Sequence, residues 1–228
     1  MLSTAVALLL WAGPGWACPA LQGRGKTARF PSLRSPDKGA VAWSEAVSRE
    51  KPRVDLGKLF VRDEKTKREK IVFEAEGTAD GKIIRRGQLL EDNHHVFCVL
   101  DWSWDSRYLL IRESVGIADS DVGGDSYWIY DREDGIPRVV ELSHLHRAVE
   151  NYLARKGLFG QVGYEIAIRG WEGTNSHRVV FEAHPYFDVS TNFVAFWSLA
   201  PSGEDPKFLS EKEGEVLPKR FGEIVEAP

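Results

Sequence analysis

The sequence predicts an all-β fold. Three four-stranded antiparallel meanders, blade-like and in an open or compact arrangement, are joined by one inserted amphipathic helix near residues 143–156. Three observations predict this. Phe60, Trp128 and Phe196 each stand in an apolar-aromatic run before a polar turn, at equal spacings: 128 − 60 = 68 and 196 − 128 = 68. A second marker keeps the same step, Ser35-Pro36-Asp37 recurring as Ser103-Trp104-Asp105. Short runs rich in β-branched and aromatic residues alternate with turn residues along the chain, which is the pattern of strands joined by hairpins. A fixed period means one supersecondary unit used several times.

The first residues read as an export signal. Leu2 to Ala12 is apolar but too short to span a bilayer, Pro14-Gly15 breaks it, and Gly15-Trp16-Ala17 places small residues at a cleavage site. Residues 1–17 are therefore read as a signal peptide, 18–27 as a linker, and 28–228 as a single repeat-built β domain. The copies fall at about 28–74, 96–142 and 163–210. The implied location is extracytoplasmic, periplasmic or secreted. Cys18 would lead the mature chain, as in a bacterial lipoprotein, but Gly15 and Trp16 fit that signal poorly, so lipid anchoring is the less favoured reading. A Cys18–Cys98 disulfide is permitted in an oxidising compartment; the alternative for Cys98, within Val96-Phe97-Cys98-Val99-Leu100, is a small buried hydrophobe.

In the first copy, Arg29 to Arg34 is a strand, Ser35 to Gly39 a turn, Ala40 to Trp43 a second strand, Lys58 to Asp63 a third and Lys70 to Phe73 a fourth. In the second, the strands are Val96 to Trp102, Arg107 to Arg112, Ser126 to Asp131 and Pro137 to Leu142. The Ser103-Trp104-Asp105-Ser106 turn joins the first pair, since Ser and Asp side chains bond their own backbone there. The third copy is looser, with strands at Gly163 to Trp171, Arg178 to Phe181, Asn192 to Leu199 and Pro206 to Leu209. Between the second and third copies, Leu145, Ala148, Val149, Tyr152 and Leu153 fall at helix-face spacing, with Ser143 as N-cap and Gly157 at C′. This helix is expected to cover a sheet edge or to fill a central gap.

Asp101-Trp102-Ser103-Trp104-Asp105-Ser106-Arg107-Tyr108-Leu109-Leu110, followed by Trp128 to Gly135, resembles a blade of a TolB-like or WD-repeat-like β-propeller. Such blades carry a Trp-Ser-x-Asp turn before the second strand and an aromatic third strand ending in Asp. The resemblance spans roughly Ala28 to Leu209. Closed propellers typically have about four to eight blades. Three copies imply an open arc, completion by a second copy of the chain, or compact stacking of the sheets.

The formal net charge of −4 argues against a nucleic-acid partner, which needs a concentrated basic face. No segment beyond the leader is apolar for long enough to cross a membrane. Gly-x-Ser-x-Gly, Gly-x-Gly-x-x-Gly and phosphate-loop patterns are absent.

In each meander the connections after the second and fourth strands lie at one end, and these are the long ones: Glu45 to Gly57, Ala75 to His95, Glu113 to Asp125 and Ser143 to Val162. Binding residues usually sit on long loops held by a rigid scaffold. The candidates there are Asp119, Asp121 and Asp125, which alternate with glycine as in a calcium loop but lack the closing Glu. The others are His94, His95 and His184. His94 and His95 are adjacent, so a strand turns them to opposite sides, and no His pair has helical zinc spacing. A carboxylate pair drawn from Glu91, Asp92, Glu113, Asp119, Glu165, Glu182 and Asp188 would serve a glycosidase only at the right separation. The tryptophans that recur within the copies are read as packing rather than a carbohydrate platform.

The expected function is that of an exported, non-catalytic binding or scaffold protein whose protein or glycan partner meets the long-loop face. The alternative is an extracytoplasmic hydrolase acting on a glycan or phosphoester through carboxylates and histidines from the same loops.

Overall fold

A computed structural model describes residues 27–50, 53–85, 87–90, 93–117, 123–185, 193–212, 215–216 and 218–226. The leader, residues 18–26 of the linker, and Cys18 with its lipidation reading lie outside the described residues. The described residues are all-β with one helix, and three antiparallel meanders follow one another at the expected step. The first is β2 (Ser32–Arg34), β3 (Ala40–Glu50), β4 (Arg53–Asp63) and β5 (Glu69–Glu74), with the short β1 (Thr27–Arg29) added to β3. The second follows three short strands, β6 (Glu76–Gly77), β7 (Ile83–Arg85) and β8 (Gln88–Leu90), that form a small sheet of their own. It consists of β9 (His94–Trp102), β10 (Tyr108–Gly116), β11 (Gly123–Asp131) and β12 (Ile136–Val139). After the helix α1 (Ser143–Arg155) comes the third, β13 (Tyr164–Gly173), β14 (Ser176–Pro185), β15 (Ala195–Leu199) and β16 (Lys207–Ser210). A last strand, β17 (Glu223–Val225), returns to pair with β2.

The repeat is visible atom by atom in the first turns of copies one and two. Ser35 Oγ donates to Asp37 Oδ1 (2.5 Å) and accepts from the Ala40 amide (2.9 Å). Ser103 Oγ donates to Asp105 Oδ1 (2.6 Å) and accepts from the Tyr108 amide (2.9 Å). Each turn bends through one residue with positive φ at the matching place, Lys38 (58°) and Ser106 (65°). Copy three replaces this turn with the tight β13–β14 hairpin at Gly173 to Ser176.

The meanders pack face to face in series, with the second in the middle. Alternation along β9 and β10 sends one set of side chains each way. On one face Phe97, Leu109, Ile111 and Tyr130 meet Leu33, Ala42, Leu59 and Val61 of the first meander. On the other, Cys98, Leu100, Leu110 and Ile129 meet Ile168, Trp171, Val179 and Phe181 of the third. Trp102 is fully buried and donates its indole N–H to Leu33 O (3.1 Å), tying the first strands of copies one and two together. The first two meanders also share a ladder, β4 pairing in parallel with β9 through Asp55–His94 and Leu56–His95. The described strands thus form a ten-stranded sheet, a separate four-stranded sheet and the small β6–β8 sheet, with no closed barrel.

The helix fills a wedge. Leu145, Val149, Tyr152 and Leu153 are its buried stripe, as expected, and they join Val140 after β12 to Trp197 of β15. Tyr152 stacks on Phe208 and meets Trp197 edge-on. The C-terminus closes as the sequence indicates: Gly157, at φ 72°, donates to Ala154 O, and Leu158 donates to Leu153 O. The N-terminus corrects the expectation, since the N-cap is Leu142 and no side chain caps the helix. No helix among the described residues is long and apolar enough to cross a membrane.

One further correction concerns length. Glu45 to Gly57 is not a long loop but the far half of the β3–β4 hairpin, extended because β1 pairs with β3 and β9 with β4 there. Of the two readings of Cys98, the structure takes the disulfide: Cys98 is bonded and buried.

Candidate functional site

The alternation on β10 runs Leu109, Ile111, Glu113, Val115, so a carboxylate stands in an apolar stripe. Glu113 is 3% exposed. A carboxylate so placed must be paired and hydrogen-bonded, and the long-loop end supplies the partners. Ile83, fully buried, anchors the β6–β8 sheet, and Arg85 from β7 reaches down to fork the carboxylate. Its Nε donates to Oε1 (3.1 Å) and its Nη2 to Oε2 (2.8 Å). The same Nη2 donates to Ser126 Oγ of β11 (2.8 Å). Trp128 Nε1 donates to Oε2 (3.0 Å), and His95 Nε2 meets Oε1 at 2.9 Å. Burial by itself raises the Glu113 pKa. The bonds from His95, Arg85 and Trp128, with the Arg85 charge, outweigh it and hold the group at about 2.

An ionised acceptor at Oε1 places a proton on His95 Nε2. In the neutral ring Nδ1 is then a lone-pair acceptor, and this nitrogen is buried without a hydrogen-bond partner. The His95 ring tilts against Phe97, which stacks on Phe73, and Phe73 meets Trp128 edge-on. The charged group is thus walled by aromatic rings.

The sequence candidates are scattered rather than gathered. Asp119 and Asp121 lie outside the described residues. Asp125 lies not in the expected loop but in β11, where it pairs with Arg112 (2.8 Å). His94 and His95 turn to opposite faces, as adjacency requires; His94 Nδ1 stands 3.4 Å from Asp55 Oδ2, while His95 joins Glu113. His184 lies in the third meander, its Nδ1 3.1 Å from Pro185 O and its Nε2 3.8 Å from Glu165. Of the four described candidates, only the two adjacent histidines lie beside each other, and they turn to different partners. Among the described residues no group of three or more His, Cys, Asp and Glu is placed to hold a metal ion. Of the carboxylates weighed for a glycosidase pair, Glu113 and Glu182 are both buried in arginine pairs, Glu182 accepting from Arg169 Nε at 2.6 Å.

Nothing in the sequence marks Arg85, Ser126 and Trp128 as partners of Glu113, because the connection that delivers Arg85 has no strand period to read. The signal that finds Glu113 is its place in the apolar stripe. Around this base the same end exposes apolar side chains from separate elements: Leu89 of β8 (58%), Ile117 after β10 (43%) and Val47 of β3 (40%).

Compared with protein-family models, with curated proteins and with solved structures, the chain has no match.

Proposed function

We propose that the protein is an exported, non-catalytic binding scaffold whose protein or glycan partner meets the long-loop end. The observation that carries this reading is the pairing at that end of exposed Leu89, Ile117 and Val47 with a stiff, saturated base. Glu113, Arg85, His95, Ser126 and Trp128 hold one another in fixed geometry. A carboxylate that already accepts four bonds and is held ionised is suited to ordering a surface, not to donating a proton. Export is supported by the leader pattern and by the disulfide at Cys98, a bond that persists in oxidising compartments. Kinship with TolB-like or WD-repeat-like blades is supported by the matched Ser-x-Asp turns and the face-to-face meanders.

One observation favours the hydrolase instead: His95 Nδ1, unpartnered beside a carboxylate-bound Nε2, has the arrangement of an oriented proton acceptor.

Both readings are tested together. Purified protein is incubated with extracytoplasmic extract and, separately, with chromogenic glycosides and phosphoesters. Retention of a defined partner by the wild type, lost in Leu89→Asp and Ile117→Asp, supports the scaffold. Turnover of any substrate that His95→Asn abolishes overturns it in favour of the hydrolase.

A further inference from the structure

The segment Pro218–Val225 crosses the first strand of every meander in turn. Lys219 exchanges main-chain bonds with Trp171 of β13 (3.0 and 3.4 Å). Phe221 and Gly222 donate their amides to the Asp101 carboxylate of β9 (3.2 and 2.8 Å). Residues 223–225, as β17, pair with β2. The docking is carried mainly by the backbone: Lys219, Arg220, Glu223 and Ile224 are exposed, while Phe221 packs at the edge of the core. The strap lies directly on the inner strand at Gly222, where a Cβ would stand 3.1 Å from Asp101 Oδ1 and 3.4 Å from Trp102 Cδ1.

We propose that Pro218–Val225 is a releasable clasp, which fastens the first strands of the three meanders together and opens as one unit while the meanders stay folded. A segment whose side chains point mostly to water has little apolar area to hold it, so it belongs to the low-stability end of the molecule. The buried carboxylate beneath it makes closure sensitive to acid. Asp101 is 1% exposed. Burial is the largest influence and pushes its pKa up to about 6, against the bonds from Gly222, Phe221 and Trp102 and the Arg220 charge. The charge that acts on it from the clasp is Arg220; Lys219 and Glu223 beside it are exposed, and Glu223 pairs with Arg34 of β2 (3.5 Å). Opening returns Asp101 to water and to the ordinary carboxylate range near 4. The closed form therefore binds the proton more tightly, so acid tightens the clasp and rising pH loosens it. Between pH 7 and pH 5 the opening constant falls about tenfold.

The test is native-state hydrogen exchange on the full chain, followed amide by amide and corrected for intrinsic rates. The amides of Lys219 and of residues 221–225 are expected to exchange through an opening of their own, more frequent than that of β10 and β11. That opening becomes about tenfold rarer from pH 7 to pH 5. Asp101→Asn removes the pH trend, and Gly222→Ala makes the clasp open more often without changing β10. Exchange of the clasp amides only together with β10 and β11 overturns the proposal, as does a pH trend that survives in Asp101→Asn.

Discussion

The two ends of the middle meander each bury a carboxylate, with opposite results. At the long-loop end Glu113 is held at about 2; at the tight-turn end Asp101 is pushed to about 6. Burial is the largest influence on both and raises both. The donors decide the outcome. Glu113 is forked by a guanidinium and bonded by an indole and an imidazole, whereas Asp101 is met by neutral backbone amides with Arg220 as a charge nearby. A protein interior therefore does not assign a carboxylate its charge state; the charge and number of its donors do.

The largest effect that would break this contrast is expected at Glu113. Glu113→Ala leaves Arg85 and His95 without their acceptor and is expected to destabilise by about 3 kcal/mol, read as a shifted urea midpoint with unchanged slope. A loss near zero would show that water repairs the network and that the long-loop end is not a stiff base.

Next comes pH. Glu113 has a lowered pKa, so its contribution is present above the unfolded carboxylate value near 4.5 and is lost as pH falls toward 2. Asp101 has a raised pKa, so its contribution is present below about 3.8 and is lost as pH rises through about 6. Stability of the wild type relative to Asp101→Asn should thus fall between pH 4 and pH 7, by up to about 3 kcal/mol, while relative to Glu113→Gln it should fall only in acid. Denaturation series at four pH values separate the two; a common direction would refute the assignment.

A smaller effect concerns the repeat. Ser35→Ala and Ser103→Ala each remove the same two turn bonds and are expected to cost about 1 kcal/mol apiece, equal within error. Unequal losses would show that the turns match in shape but not in energy. The smallest concerns Lys156, whose exposed pair with Glu211 (2.7 Å) is screened by solvent. Lys156→Ala should leave the thermal midpoint unchanged within measurement error.

Much of the scaffold was legible in the sequence. The step of 68 residues located twelve strands in three groups, and the Ser-x-Asp pairs located two turns whose hydrogen bonds coincide. The far half of the β3–β4 hairpin was not legible, because Ser44, Glu45, Ser48 and Glu50 read as loop residues. Its strand character comes from pairing with β1 and β9, a tertiary effect that overrides local preference. Strands of two or three residues, such as β6 to β8, are too short to show a period. In the site, Glu113 was readable from its stripe, but Arg85 arrives from 28 residues away on an irregular connection. The amides on Asp101 come from 120 and 121 residues away, a distance at which no local pattern speaks.

The seam between β2 and β17 also bears on the order in which the molecule can be made. Arg34 and Glu223, partners across that seam, are separated by 189 residues. During synthesis the edge of the earliest meander must wait, unpaired, while the two later ones are written. Pairings this distant close slowly, because a long loop has to be gathered first. Until then the β2 edge is open to stray strand pairing, and the strand that protects it is made 189 residues later.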